Sequence, residues 1–211
     1  MVTSPQDTTS WSYYFIRNIA RHFFTHVFDA EATYQSPFSP NGPLLIISNH
    51  LSFLDPPVVS AFLDRSVYFV ARKTLFKNPL FARLITLLHA FPIDQDNPDI
   101  RSLRRILQHL HEGHAVLLFP EGTRSKTGQP SSPQPGVGWI ASKADVPILP
   151  VKIHGTFEAL PPGARFIRHH PLRVSYGIPK RLPPQLSSSP KNKDTYVKIA
   201  EYLMEQILAL P

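Results

Sequence analysis

His50 and Asp55 stand five residues apart in Asn49-His50-Leu51-Ser52-Phe53-Leu54-Asp55, directly after the apolar run Leu44-Leu45-Ile46-Ile47 and directly before Pro56-Pro57. Imidazole is the side chain whose unperturbed pKa lies nearest neutral pH. A carboxylate bonded to one ring nitrogen fixes the tautomer and raises the basicity of the other. The pair could therefore work as an oriented general base. On an unbroken helix, residues five apart lie roughly 140° round the axis from each other, so the two meet only where the chain between them turns. Asp-Pro-Pro supplies a reason for such a turn. The same residues also read as an Asp N-cap followed by Pro at the first helical position, with His50 an ordinary loop residue.

A second cluster, Phe119-Pro120-Glu121-Gly122-Thr123-Arg124-Ser125, follows the apolar run Ala115-Val116-Leu117-Leu118. Arg124 can grip a phosphate through two parallel hydrogen bonds, and glycine at 122 allows close backbone approach to a ligand. Glu121 can accept from a hydroxyl or hold Arg124; the plainer alternative is an Arg–Glu pair bracing a turn. The stretch is not a phosphate-binding P-loop, because the Gly-Lys-Ser/Thr ending is missing. His109-Leu110-His111-Glu112-Gly113-His114 lacks the His-Glu-x-x-His spacing, and His109 and His111 point to different sides of a helix. These are expected to be surface histidines near a helix C-terminus, and His169 and His170 surface residues of the basic stretch around them, so no metal site is expected.

Both clusters must be held by a scaffold that the rest of the chain can supply. At 211 residues it is long enough for one well-filled domain. It has no cysteine, which removes disulfides, thiolate metal sites and cysteine nucleophiles together. The formal net charge of +7 points to an anionic partner. Residues 65–93 and 159–193 contain no acidic side chain, and their arginines and lysines alternate with Phe69, Phe76, Leu80, Phe81, Phe166 and Ile167. That mixture suits an anionic membrane surface, with a solvated basic face as the plain alternative. Nucleic acid is not an expected partner, since no recognition-helix or aromatic RNA-binding motif accompanies the charge. No run reaches the roughly 18 apolar residues of a spanning helix, and the first residues do not read as a secretory signal. Any membrane contact is expected to be peripheral.

Periodicity places an amphipathic helix over 13–28, with Tyr13, Ile16, Ile19, Ala20, Phe23, Phe24 and Val27 on one side and Arg17, Arg21, His22 and His26 on the other. Its apolar face could lie in a lipid interface or pack on the core. Strands are expected at 44–48, 67–71, 91–94, 115–119, 148–154 and 172–176. Helices are expected at 56–63, 79–88, 138–144 and 196–208, with a further one capped by Asn97, opened by Pro98 and ended by Gly113. Strands alternating with helices argue for a single α/β domain with a central, mostly parallel sheet flanked by helices. The expected divisions are an interfacial segment at 1–35, the α/β domain at 36–182, and a Pro-rich linker with a closing helix at 183–211.

In this order and at these separations, Asn49 to Asp55, Phe119 to Ser125 and Val146-Pro147-Ile148-Leu149-Pro150-Val151 resemble three sequence blocks of the glycerolipid acyltransferases, and among them the 1-acylglycerol-3-phosphate (lysophosphatidic acid) O-acyltransferases. The similarity covers residues 42–161, more than half the chain. It implies transfer of a fatty acyl group from a thioester, acyl-CoA or acyl carrier protein, to the free hydroxyl of a lysophospholipid. By position, His50 would take the proton from that hydroxyl and Asp55 would orient His50. Asn49, Ser52, Glu121, Gly122, Thr123 and Arg124 would lie on the acceptor side. Ala71-Arg72-Lys73-Thr74-Leu75-Phe76 looks like a further family stretch, which makes Lys73 and then Arg72 phosphate-contact candidates. Val146, Pro147, Ile148 and Pro150 would line the acyl side. No metal or redox cofactor is implied, and backbone N–H groups near Gly122 or Gly136 could stabilise the oxyanion.

One departure concerns the acceptor. Where the family's remaining block usually carries a phosphate-contacting arginine, His89-Ala90-Phe91-Pro92-Ile93-Asp94-Gln95 has Gln95. A neutral amide makes a weaker phosphate bond, which leaves another lysolipid or lipid alcohol open as acceptor, with Arg101 a possible substitute. Competing expectations are a catalytically idle membrane-binding protein on the same fold, and a hydrolase. No Gly-x-Ser-x-Gly elbow supports the hydrolase, though Ser52 beside His50 is a conceivable nucleophile. The expected location is the cytoplasmic side of a membrane.

Overall fold

The computed structural model describes residues 11–37, 41–93 and 100–211, apart from the side chain of Ile100. In chain order the elements are α1 (Trp11–Val27), β1 (Glu31–Tyr34), β2 (Leu44–Ser48), α2 (Asp55–Ala61), β3 (Val67–Arg72), a 3₁₀ turn (Lys73–Lys77), α3 (Pro79–Leu87), β4 (Ala90–Ile93), α4 (Ile100–His111), β5 (Ala115–Leu118), α5 (Pro135–Ala144), β6 (Ile148–His154), α6 (Thr156–Ala159), β7 (Arg173–Tyr176), α7 (Pro184–Ser187) and α8 (Lys193–Leu208). The seven strands form one sheet in the order β1-β7-β6-β2-β5-β3-β4. Only β6 and β7 pair antiparallel. The α/β fold with a mostly parallel sheet and an N-terminal helix is therefore as expected. Asn97, Pro98, Asp94 and Gln95 lie outside the described residues.

Strand β2 is buried at every position and pairs with β5 on one side and β6 on the other. Its alternate side chains feed two cores: Leu44 and Ile46 join α1, α2 and α3 through Phe24, Val58 and Ile85, while Leu45 and Ile47 join α4, α5 and α8 through Ile106, Ile140 and Ile199. The crossover from β2 to β3 runs through α2 on the first face, and that from β5 to β6 through α5 on the second. The chain thus leaves β2 and β5 in opposite directions. Such a reversal opens a crevice beyond the carboxyl ends of the two central strands.

Two expected divisions are not structural boundaries. Residues 31–34, assigned to the N-terminal segment, pair with β7 along their whole length. Helix α8 is built into the second core through Ile199, Leu203 and Ile207. The contact of α8 with α5 is close: a Cβ added to Gly138 would stand 1.9 Å from the carbonyl oxygen of Tyr196. Two backbones cannot yield to that intrusion as side chains can. Gly138→Ala is expected to cost about 3 kcal/mol of folding stability, read as a lowered midpoint of thermal unfolding.

Helix α1 divides its apolar residues between the core and the surface. Tyr13 and Phe24 are buried with Phe28, and the Tyr13 hydroxyl accepts the Val67 N–H at 2.9 Å. Arg17, expected on a solvent or lipid face, instead donates to the Leu63 carbonyl at 2.9 Å. Trp11, Phe15, Ile19, Phe23 and Val27, one every four residues, form an exposed ridge. Helix α3 leaves Leu80, Phe81, Leu84 and Leu87 exposed in the same layer.

Candidate active site

The loop after β2 folds back on itself around the carboxylate of Asp55. One oxygen, Oδ2, accepts the Leu51 N–H at 2.6 Å, the Ser52 N–H at 2.7 Å and His50 Nδ1 at 2.8 Å. Asp55 opens α2 and is fully buried. Three donors on one oxygen supply the turn that His50 and Asp55 need in order to meet. Because a carboxylate can only accept, Nδ1 carries the ring proton and Nε2 presents its lone pair. The imidazole stacks on Phe119 at 3.9 Å between ring centres, 14° from parallel. Phe119 was legible as part of the second cluster, but its role as the floor under His50 was not.

The loop after β5 is tied to the first. Ser125 N–H donates to the His50 carbonyl at 2.8 Å. Glu121, with 1% of its surface exposed, accepts the His50 N–H on Oε1 at 3.0 Å. Its Oε2 accepts the Ser131 N–H at 3.1 Å and hydroxyl at 2.9 Å. Glu121 therefore positions His50 and the 120s loop: both its oxygens are taken by donors of the protein, neither of them Arg124, which corrects the expected Arg–Glu pair and turns Glu121 inward from the acceptor side. The Gly122 N–H donates to the Phe119 carbonyl at 3.0 Å and is not a spare oxyanion donor. Gly136 lies in the first turn of α5.

Asn49 and Ser52, expected on the acceptor side, are also turned inward. Asn49 accepts the Ile153 N–H at 2.8 Å and donates to the Ile153 carbonyl at 2.9 Å, a side-chain copy of the β2–β6 pairing that extends it past Ser48. Ser52 donates to the Leu160 carbonyl at 2.7 Å and accepts the Leu54 N–H at 3.2 Å. Both are buried. Strand alternation likewise moves Val146 and Ile148 into the second core with α5 and α8, and Pro150, two residues on from Ile148, points the same way. Phe119 packs on the first core. Val146, Ile148 and Pro150 thus do not line an acyl site beside His50, because alternation turns them to the opposite side of the sheet, while Pro147 precedes β6 and its carbonyl accepts the Leu45 N–H at 3.0 Å.

The cationic side of the crevice remains open. Arg124 lies over the Phe53 ring, Cζ 3.5 Å from its centre, and its buried Nη1 has no hydrogen-bond partner among the described residues. Burial, and then the charge of Arg72, draw its pKa below the ordinary guanidinium value. An unmatched, partly buried cation beside a second one is a place prepared for an anion. Arg72 ends β3 and Lys73 begins the following 3₁₀ turn, both exposed, and Thr123 is exposed with its hydroxyl on the Arg124 carbonyl at 3.2 Å. Phe53 and Ser131 are contributors that the sequence did not single out; Phe53 sits inside the first cluster, but no local pattern marks Ser131.

A family model described as Acyltransferase matches residues 29–154. The chloroplastic 1-acyl-sn-glycerol-3-phosphate acyltransferase of Arabidopsis thaliana is 31% identical over 134 residues, 63% of this chain and 37% of that protein. A 1-acyl-sn-glycerol-3-phosphate acyltransferase of Chlamydomonas reinhardtii is 31% identical over 185 residues, 80% of this chain and 54% of that protein. The crystal structure of the 1-acyl-sn-glycerophosphate (LPA) acyltransferase PlsC from Thermotoga maritima matches with a TM-score of 0.70 and 26% identity, over 92% of this chain and 79% of that one. This chain spans from 37% to 54% of the length of the two curated relatives. The matched segment runs from the turn after α1 to the end of β6 and contains both loops of the crevice. The chain belongs to the acyltransferase family.

Proposed function

We propose that the protein transfers a fatty acyl chain from a thioester, acyl-CoA or acyl carrier protein, to the free hydroxyl of 1-acylglycerol-3-phosphate. The observation that carries this reading is the His50–Asp55 bond with Nε2 left as acceptor, on the same rim as an Arg124 nitrogen without a partner among the described residues. Nε2 takes the hydroxyl proton as the oxygen attacks the thioester carbonyl. The tetrahedral intermediate collapses, the C–S bond breaks, and the imidazolium returns the proton to the departing thiolate. No acyl-enzyme forms. Arg124, with Arg72 and Lys73, receives the acceptor phosphate.

The test is acceptor-dependent thiol release from palmitoyl-CoA and from palmitoyl carrier protein, with lysophosphatidic acid, lysophosphatidylethanolamine, glycerol-3-phosphate or no acceptor. Release with lysophosphatidic acid supports the reading; release with another acceptor alone, or none, overturns it. Arg124→Ala is expected to raise the KM for lysophosphatidic acid about 10- to 100-fold, the value of one or two charge-assisted hydrogen bonds, with a smaller change in kcat.

The acceptor and donor chains must reach this site from a bilayer, and no described helix is long and apolar enough to cross one. The α1 ridge, the exposed face of α3, and Phe166 and Ile167 between Arg165 and Arg168 would contact its surface. Phe15→Asp with Ile19→Asp is expected to release the protein from vesicles containing anionic lipid, measured by co-sedimentation. Retention of full binding would move the contact elsewhere.

A further inference from the structure

A separate cluster sits at the other end of β5, before its first residue. His109 and Glu112 are in the last turn of α4 and the segment just after it, and Gly113, at φ +88°, reverses the chain so that His114 faces them. The reversal is fixed by Gly113 N–H to the Leu110 carbonyl and His114 N–H to the His109 carbonyl, both at 3.0 Å. Glu112 Oε2 lies 3.4 Å from His109 Nδ1 and 3.7 Å from His114 Nε2, and the three ligating atoms all fall within 4.8 Å of one another. From these atoms we infer that His109, Glu112 and His114 form a binding site for a divalent transition-metal ion of the zinc class.

Three observations carry it. At 3.4 and 3.7 Å the carboxylate–imidazole separations exceed those of good N–H···O bonds, about 2.7–3.2 Å, and lie near the spacing of about 3.4 Å between donors around a tetrahedral zinc, while the widest separation, within 4.8 Å, closes by a turn of the His114 ring. Both ring nitrogens of His109 are buried without a hydrogen-bond partner among the described residues, and coordination would satisfy one of them. The ligands are also held in place. Gln108 donates to Glu112 Oε1 at 2.8 Å, which leaves Oε2 for the ion, and Tyr68 stacks on His114 at 4.4 Å while packing against His109 at 4.7 Å. Such support is what orients ligands in built metal sites. Two imidazoles and one carboxylate suit zinc-class ions over magnesium or calcium. Glu112 is partly open to solvent, so water can complete the coordination. Five residues of extended chain, roughly 16 Å, separate His114 from Phe119 under His50, so the ion takes no part in acyl transfer.

The test uses the whole 211-residue chain stripped of metal by a chelator. It is titrated with Zn²⁺ against a chromogenic indicator, and with Co²⁺ followed by its visible ligand-field absorption. One ion per chain is expected, with the cobalt spectrum of a four- or five-coordinate site that Zn²⁺ abolishes. His114→Phe keeps the ring on Tyr68 and removes its nitrogens; Glu112→Gln keeps the Gln108 contact and removes the charge. Each is expected to weaken Zn²⁺ binding by at least about 10-fold, with an unchanged circular dichroism spectrum. No binding by the unaltered protein overturns the proposal. Binding that both variants retain overturns it too, since the ion would then sit on exposed pairs such as His22 and His26.

Discussion

His50→Ala is expected to lower kcat by about 10³-fold, within the range of a positioned general base, while the protein still unfolds at nearly the same temperature. The ring is partly exposed and stacked on Phe119, so its loss removes the base and leaves the two loops joined by backbone bonds from Ser125 and to Glu121. Ser52→Ala separates direct transfer from the alternative in which Ser52 is acylated. The Ser52 hydroxyl is committed to the Leu160 carbonyl and the Leu54 N–H. Its removal is expected to cost about 1–2 kcal/mol of stability and to leave most of the activity. A folded Ser52→Ala protein as inactive as His50→Ala would overturn direct transfer. Steady-state thiol release on all three proteins, with thermal unfolding alongside, decides between them.

The parts of this site that could be read from the chain are those whose partners are close in sequence. His50 and Asp55 meet because the turn between them is local, and β2 and β6 fall at 44–48 and 148–154 because their apolar runs are short and sharply bounded. Strand β1 leaves no local signal because Glu31-Ala32-Thr33-Tyr34 is largely exposed and pairs on one side only; its strand geometry is imposed by β7, about 140 residues away. The resemblance sets Asn49 and Glu121 at the acceptor for a related reason. Their partners, Ile153, His50 and Ser131, are set by the sheet and the loop crossing, and a polar residue in a motif looks the same whether it faces ligand or backbone. For Val146 to Pro150 the resemblance marks a segment but not the face it presents. The histidines near 110 read as surface residues at a helix end that Gly113 closes; what the spacing does not show is that the left-handed backbone of Gly113 brings His114 back toward His109.

Asp55→Asn should be milder than its counterpart in a serine-protease triad, where the amide imposes the wrong histidine tautomer and costs about 10⁴-fold. The difference lies in the two backbone N–H groups of Leu51 and Ser52, which share Oδ2 with His50. An amide NH₂ at that position would face three donors. The asparagine must therefore place its carbonyl oxygen there, which keeps Nδ1 protonated and Nε2 as acceptor. Its NH₂ then occupies the place of Oδ1, which is buried and has no partner among the described residues, so stability should fall by about 1–3 kcal/mol. What catalysis loses is the negative charge facing the imidazolium in the transition state, for an expected drop of about 10²-fold in kcat. Asp55→Ala instead orphans both N–H groups and lets the ring turn, so activity should fall to the level of His50→Ala and the protein should unfold at a markedly lower temperature. Equal losses in Asp55→Asn and Asp55→Ala would mean that the amide does reverse the tautomer, and that the backbone donors do not dictate its orientation.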